Sequence, residues 1–404
     1  MKGNIFSRYD RQIWVLVIGS LINAFGFSIA YPFISLYLYG YKGIPMGSVG
    51  FALMVAAVAG ALTQVVSGEL CDRVGRKIMM NIGLLIQMVA FTLLGFAVIS
   101  DAGYDEFLIL LTLREIAGGL YRNIPQVMVA DVAGPGERIG AFSLIRIGAN
   151  LGFAIGPVIG GIMAMHSYSL MFFMTAVTSG IYMIISLVIL RDTLPGITGK
   201  LIRLEHMSPW MDRPFIIFCA VSGLIMLVYS QMMTTFSSYS GIFANVPESQ
   251  IGLLFSLNGL MIVFFQYPVA RYLEHFRLTT SLAAGSSIYA IGFVIVGFCT
   301  DFRGLLFAMF IISVGELVIT PPSMAIVAQM APSDMRGRYM SVAGVLSNGG
   351  IAFGPMVGGY LMDFYSARIE MMWIILGGIA ILCMAGFIFL RSRVSFEVDR
   401  PTAI

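Results

Sequence analysis

Long apolar runs separated by short polar joints fill this chain, and the length of the runs decides what element they form. A helix crossing the hydrocarbon of a bilayer needs about 20 predominantly apolar residues. Runs of that size lie near residues 12–39, 47–70, 77–99, 106–131, 138–165, 168–191, 214–241, 249–272, 279–300, 303–330, 337–363 and 368–391. Barrel strands would instead alternate over about 10 residues. The expected fold class is therefore all-α integral membrane, with twelve transmembrane helices. The longest joint, residues 192–213, carries Asp192, Lys200, Arg203, Glu205 and Asp212. It is the expected cytoplasmic linker between two six-helix bundles, residues 1–191 and 214–404.

Composition agrees with this pattern. Of 404 residues, 58% are hydrophobic and 11% charged, with a mean hydropathy of +0.89. A water-facing surface normally needs about 25% charged residues, so most of this surface must face lipid. The first apolar stretch follows Arg8, Asp10 and Arg11 and runs to Tyr39, too long for a signal-peptide core, and is expected to be a permanent span. Cys71, Cys219, Cys299 and Cys383 are scattered and suggest no disulfide framework. A net charge of +3 gives no reason to expect nucleic acid.

Charge placement sets orientation. Of the 24 basic residues, 18 fall on the termini and even-numbered joints, including Arg73, Arg76, Lys77, Arg336 and Arg338. The odd-numbered joints hold Lys42, Arg303 and Arg368, and three more arginines lie inside spans. Lys and Arg accumulate on the cytoplasmic side, so both termini are expected there, in a prokaryotic plasma or inner membrane.

Sliding the chain against itself reveals an internal repeat. The stretch Asn150-Leu-Gly-Phe-Ala-Ile-Gly156-Pro157-Val-Ile-Gly-Gly161 matches Asn348-Gly-Gly-Ile-Ala-Phe-Gly354-Pro355-Met-Val-Gly-Gly359 at an offset of 198 residues. Proline removes a backbone hydrogen bond and glycine admits a neighbour, so each Gly-Pro pair is a candidate kink. Six spans per copy give both copies the same orientation. Parallel halves rocking about a midplane site would provide alternating access.

The segment Gly68-Glu-Leu-Cys-Asp72-Arg73-Val-Gly75-Arg76-Lys77 resembles the loop signature of the major facilitator superfamily, G-x-L-x-D-R-x-G-R-[RK]. The 150–161 stretch is similar to that family's span-5 signature, which is associated with antiporters. Leu110-Leu-Thr-Leu-Arg114-Glu-Ile-Ala-Gly118 resembles its span-4 signature, with Ala117 where Gln is usual. The resemblance covers essentially the whole chain. It implies a conformational latch in which Asp72 meets the start of span 11, near Arg336 and Arg338, and Arg73 or Arg76 pairs with Asp131. The residues themselves suit such a role: Gly68 and Gly75 permit a tight turn and close helix approach, and a carboxylate is stabilised at a helix N-terminus.

Charges at membrane depth are costly and mark function by default. Five qualify: Arg114, Glu115, Arg122, Arg146 and Glu316. Spacings of 7 and 4 place Glu115, Arg122 and Gln126 on one helix face, and a spacing of 4 joins Arg146 to Asn150. Glu316 sits in Gly315-Glu316-Leu-Val-Ile-Thr320-Pro321-Pro322, where the prolines are expected to break the helix. Burial disfavours an ionised carboxyl, so Glu316, with Glu115, is the expected proton carrier. This segment also looks like that of some proton-coupled multidrug transporters. Arg114, Arg122 and Arg146 would tune the proton carriers or bind substrate; three arginines against two glutamates leave a surplus that suits an organic anion. The 28 methionines and aromatics such as Phe25, Phe27, Tyr31, Phe33 and Tyr37 offer an adaptable apolar lining.

The expected function is secondary active transport, most simply proton-coupled efflux of hydrophobic small molecules by a monomer. Partners would be the substrate, protons and the lipid bilayer, with the proton gradient as energy source and no cofactor or metal. Organic-anion exchange, nutrient:proton symport and a transporter-like sensor are the alternatives. ATP-driven pumps and metalloenzymes lack their residues here: Gly199-Lys200 is followed by Leu201, and His166, His206 and His275 form no H-E-x-x-H.

Overall fold

The structure, a computed structural model, describes residues 9–134, 137–193, 209–332 and 335–400. It is nearly all helix. The first copy contributes α1 (Arg11–Leu36), α2 (Met46–Val74), α3 (Arg76–Ile99), α4 (Tyr104–Tyr121), α5 (Ile124–Val132), α6 (Arg138–Ala164) and α7 (Tyr168–Ile189). The second contributes α8 (Arg213–Ser230), α9 (Thr235–Ile242), α10 (Glu248–Leu273), α11 (Leu278–Val296), α12 (Phe302–Met330), α13 (Arg336–Phe364) and α14 (Glu370–Arg391), then a short α15 (Phe396–Asp399). Carboxylates cap several N-termini, where backbone N–H groups lack helical partners: Asp10 accepts from Gln12 N–H at 2.7 Å, Asp301 from Gly304 at 2.9 Å and Asp212 from Phe215 at 3.2 Å.

Among the described residues, eleven helices are long and apolar enough to cross a membrane. The fourth expected span, 106–131, is broken into α4 and α5 by Arg122 and Asn123. Pro125 lies in the first turn of α5, where its missing N–H costs nothing, and it would interrupt a continuous helix. The single face expected for Glu115, Arg122 and Gln126 is corrected accordingly, because Gln126 belongs to the second piece. Conversely, α12 is not broken at its prolines and runs unbroken through Pro321 and Pro322. The Leu317 carbonyl, deprived of the Pro321 N–H, accepts from Gln266 Nε2 at 3.4 Å instead.

The chain packs as two units. The first comprises Met1–Tyr37, Ala52–Leu201 and Pro247–Gly259, the second Leu38–Phe51, Ile202–Val246 and Leu260–Ile404. The starts of α2 and α10 are thus exchanged between them, and the repeated Gly-Pro motif explains how each is received. In the first unit Gly148, Gly152, Gly156 and Gly160 line one face of α6 and lie directly against α1, at Val17, Leu21, Phe25 with Ser28, and Ile29. Next to them Gly161 meets the backbone of Glu248 and Ser249 in α10, while Gly252 of α10 meets the Pro157 carbonyl. The second unit repeats this: on α13, Gly350 lies on Gly223, Gly354 on Leu227 and Ser230, and Gly359 on Met46, while Gly50 of α2 meets the Pro355 carbonyl. Any Cβ at these sites would overlap backbone. Without a hydrophobic force between helices in lipid, such contact is what holds them together.

Candidate functional site

The loop motif closes within the first unit. Gly75 takes φ +112, a conformation that only glycine adopts without strain. The chain thereby turns from α2 into α3, whose first N–H, that of Arg76, donates to Asp192 Oδ1 at 3.1 Å. The Arg76 guanidinium forms an ion pair with Asp131 near the end of α5. Lys77 Nζ donates to the Leu187 and Leu190 carbonyls at 2.9 and 2.7 Å, placing a cation at the negative C-terminal end of α7. Arg73 pairs with Glu69 on an exposed face. Gly68 differs from expectation: it lies inside α2, and a Cβ there would meet nothing within 4 Å. Arg338 stands in the first turn of α13. The expected meeting of Asp72 with Arg336 lies outside the described residues, since neither side chain is among them.

Deeper in the first unit, α4 presents a charged cluster. Glu115 is shared by two guanidiniums: Arg114 Nη1 donates to Oε1, and Arg122 Nη2 donates to Oε2 at 2.8 Å. Arg114 is buried, 3% exposed, beneath three rings. Its guanidinium carbon lies 4.9 Å from the Phe27 centroid, 5.4 Å from Tyr31 and 5.8 Å from Phe91, within cation–π range. Phe27 and Tyr31 stack at 4.6 Å. A polar network adjoins the cluster: the Tyr121 hydroxyl lies 2.7 Å from Asn23 Oδ1 and 2.6 Å from Gln87 Oε1, and Gln87 Nε2 donates to Ser179 Oγ at 3.0 Å. Arg146 and Gln126 are exposed and Asn150 is half-buried. None of these three has a hydrogen-bond or ion-pair partner among the described residues.

In the second unit, Glu316 occupies the midpoint of α12 and is half-buried. The Tyr229 hydroxyl of α8 donates to its Oε1 at 3.3 Å. Sequence patterning does not single out Tyr229, one of 17 tyrosines and 87 residues distant from Glu316. Asp363 was also missed. Its two carboxylate oxygens accept from Met46 and Gly47 N–H, at 2.9 and 2.7 Å, closing the start of α2. The start of α10 in the first unit is held differently, by Tyr168 donating to Glu248 Oε1 at 3.0 Å. A usable signal existed for Asp363, an isolated acid at the end of an apolar run.

These features define a polytopic α-helical membrane protein made from two copies of one helix bundle, each with a charged side chain within a long apolar span. The Major Facilitator Superfamily profile matches residues 16–246 and 215–403, and the chain belongs to that family; it is a membrane transporter of that type. It is 28% identical over 365 residues to the uncharacterized MFS-type transporter YttB of Bacillus subtilis (strain 168), covering 89% of this chain and 90% of that protein. It is 25% identical over 400 residues to the multidrug resistance protein MdtH of Shigella sonnei (strain Ss046), covering 96% and 95%. Among solved structures, it is similar to a POT family transporter in complex with thioalcohol conjugated peptide, with TM-score 0.80, 14% identity and coverage of 95% and 96%. It is similar also to the nucleoside transporter NupG, with TM-score 0.79, 14% identity and coverage of 95% and 99%. At such identities the structures show the fold alone.

Proposed function

We propose that the protein is a proton-coupled exporter of hydrophobic small molecules that works by alternating access in a cell membrane, as a monomer with cytoplasmic termini. The observation that carries this reading is Glu316, a half-buried carboxyl midway along a membrane helix and within reach of the Tyr229 hydroxyl. A carboxyl at that depth is retained for function, and the proton is the ion it exchanges most simply. Glu115 already lies between Arg114 and Arg122; in this reading it serves as their counter-ion, and Glu316 is the exchanging group. Phe27, Tyr31 and Phe91 supply an apolar wall beside that cluster. The likeness to MdtH supports the substrate class. The driving force is adequate, since one charge moved through 100 mV contributes about 2.3 kcal/mol.

The test uses inside-out proteoliposomes enclosing a pH-sensitive dye under an imposed proton gradient. Lipophilic compounds should discharge the gradient with wild-type protein and at least about tenfold more slowly with Glu316→Gln, the order expected for losing an essential proton carrier. Undiminished discharge by the variant would falsify the assignment. A second reading, exchange of organic anions, is favoured by Arg146, an exposed membrane-helix cation with no partner among the described residues. It replaces the first if only anions discharge the gradient and Arg146→Gln stops them.

A further inference from the structure

Tyr229 reaches Glu316 from a particular place. It is the last residue but one of α8, and directly after it the seventh span changes course through a 3-10 turn, Gln231–Met233, before α9 resumes. Thr234 at that joint has φ −122 and ψ −75, outside the helical region. The turn is stitched to the repeated motif of α13. Gln231 Nε2 donates to the Leu227 and Gly354 carbonyls at 2.9 and 2.8 Å, and Thr235 Oγ1 donates to Gln231 Oε1 at 3.0 Å. The phenol ring of Tyr229 stacks on Tyr289 of α11, with centroids 6.4 Å apart and planes 28° apart. Tyr289 is 1% exposed and abuts Gly315, the residue before Glu316. The Tyr229 hydroxyl is thus fixed relative to the helix that carries the carboxyl.

We propose that Tyr229 is a positioning residue for the Glu316 carboxyl and links the proton on α12 to the joint between α8 and α9. The proposal rests on the reading of Glu316 as the exchanging carboxyl. An ionised carboxylate is a strong acceptor for a phenol O–H, and a charge-assisted hydrogen bond is roughly twice as strong as a neutral one. Once Glu316 takes a proton, that advantage is lost and the phenol is held less firmly. The side chain released is the one next to the helix joint, so proton uptake loosens the segment that Gln231 ties to Gly354. The titratable side chains beside Glu316 are the phenol of Tyr229 on α8, which reaches its carboxyl, and that of Tyr289 on α11, which packs against the neighbouring Gly315.

The experiment is the pH profile of substrate-driven proton flux in proteoliposomes, read for wild type, Tyr229→Phe, Tyr289→Phe and Glu316→Gln. Removing the donor disfavours the ionised carboxylate, so Tyr229→Phe should move the half-maximal pH upward by about one unit, as expected for losing one hydrogen bond to a charged group. The KM for a neutral lipophilic substrate should not change. Tyr289→Phe keeps the stacked ring and should leave the midpoint in place. Placing 3-fluorotyrosine at position 229 strengthens the donor at nearly constant shape and should move the midpoint downward, which keeps the test decisive if Tyr229→Phe folds poorly. Unmoved midpoints with both changes at position 229 overturn the positioning role while leaving Glu316 as the carrier. Proton coupling that survives Glu316→Gln overturns the reading of Glu316 itself, whatever position 229 does.

Discussion

The two units solve the same packing problem and then diverge in their side chains, most simply at one aromatic position. Ser28 of α1 lies on Gly156, and Ser230 of α8 lies on Gly354. The residues just before those serines, Phe27 and Tyr229, therefore hold equivalent places. Phe27 offers a ring face to Arg114 on the fourth span, whereas Tyr229 offers a hydroxyl to Glu316 on the tenth. A ring face is electron-rich and suits a cation, and a phenol O–H is a donor that suits a carboxylate. The aromatic residue thus matches the charge it meets, a bare ring beside a buried arginine in one copy and a hydroxyl beside an acid in the other. Backbone packing constrains both copies through contacts that tolerate no Cβ, while the side chains one step away remain free to take on different chemistry.

The sharpest way to break this comparison is to attack what the units share. Gly156→Val and Gly354→Val each force side-chain atoms into a facing helix, so both should cost about 3 kcal/mol and greatly reduce the monodisperse yield in detergent. If one variant is tolerated, the seam is not equivalent in the two copies. The next largest effect separates the charges. Glu115→Gln leaves Arg114 buried without its counter-ion, and a loss of about 2–3 kcal/mol is expected, moderated by the half-exposure of Arg122. Glu316→Gln, by contrast, still presents a carbonyl to Tyr229 and should cost less than about 1 kcal/mol. Thermal unfolding of the two purified proteins should therefore rank opposite to their transport defects.

Smaller effects sharpen the contrast at the exchanged helix starts. Asp363→Asn exchanges a carboxylate that accepts two N–H bonds for an amide with a single acceptor, at a cost of about 1–2 kcal/mol. Tyr168→Phe removes one hydrogen bond to Glu248 and should cost about 0.5–1 kcal/mol. Melting temperatures of the pair measure whether the start of α2 is held more firmly than that of α10, and equal losses would remove that distinction.

Much of this architecture was legible in the sequence because it rests on local quantities. Apolar run length gave the spans, charge scarcity gave the lipid environment, and the recurrence of Asn150–Gly161 at Asn348–Gly359 gave the repeat. The family resemblance of the loop motif implied Arg73 or Arg76 as the partner of Asp131, and the structure pairs Arg76 with it. What local pattern could not give were the continuity of α12 through two prolines, where Gln266 of α10 donates to one freed carbonyl, and the break between α4 and α5. Nor could one offset relate Phe27 to Tyr229. The motif glycines repeat at 198 residues, but the starts of α2 and α10 lie 202 apart, because the first copy is four residues longer between its second and fifth spans. A register found in one part of the chain fails in another.

By itself, then, the sequence determined that this chain lives in a bilayer, that it is a twofold repeat of six spans, and which few charges its membrane helices carry. Those properties are sums over neighbouring residues, and solvation alone enforces them. Only the tertiary structure decided which charge meets which partner: Glu115 with two arginines, Arg114 with three rings, Glu316 with Tyr229, Asp363 with the start of α2. Such pairings join residues as many as 317 positions apart. They depend on helix rotation and depth, and no local pattern along the chain says which side chain on one helix will face which on another.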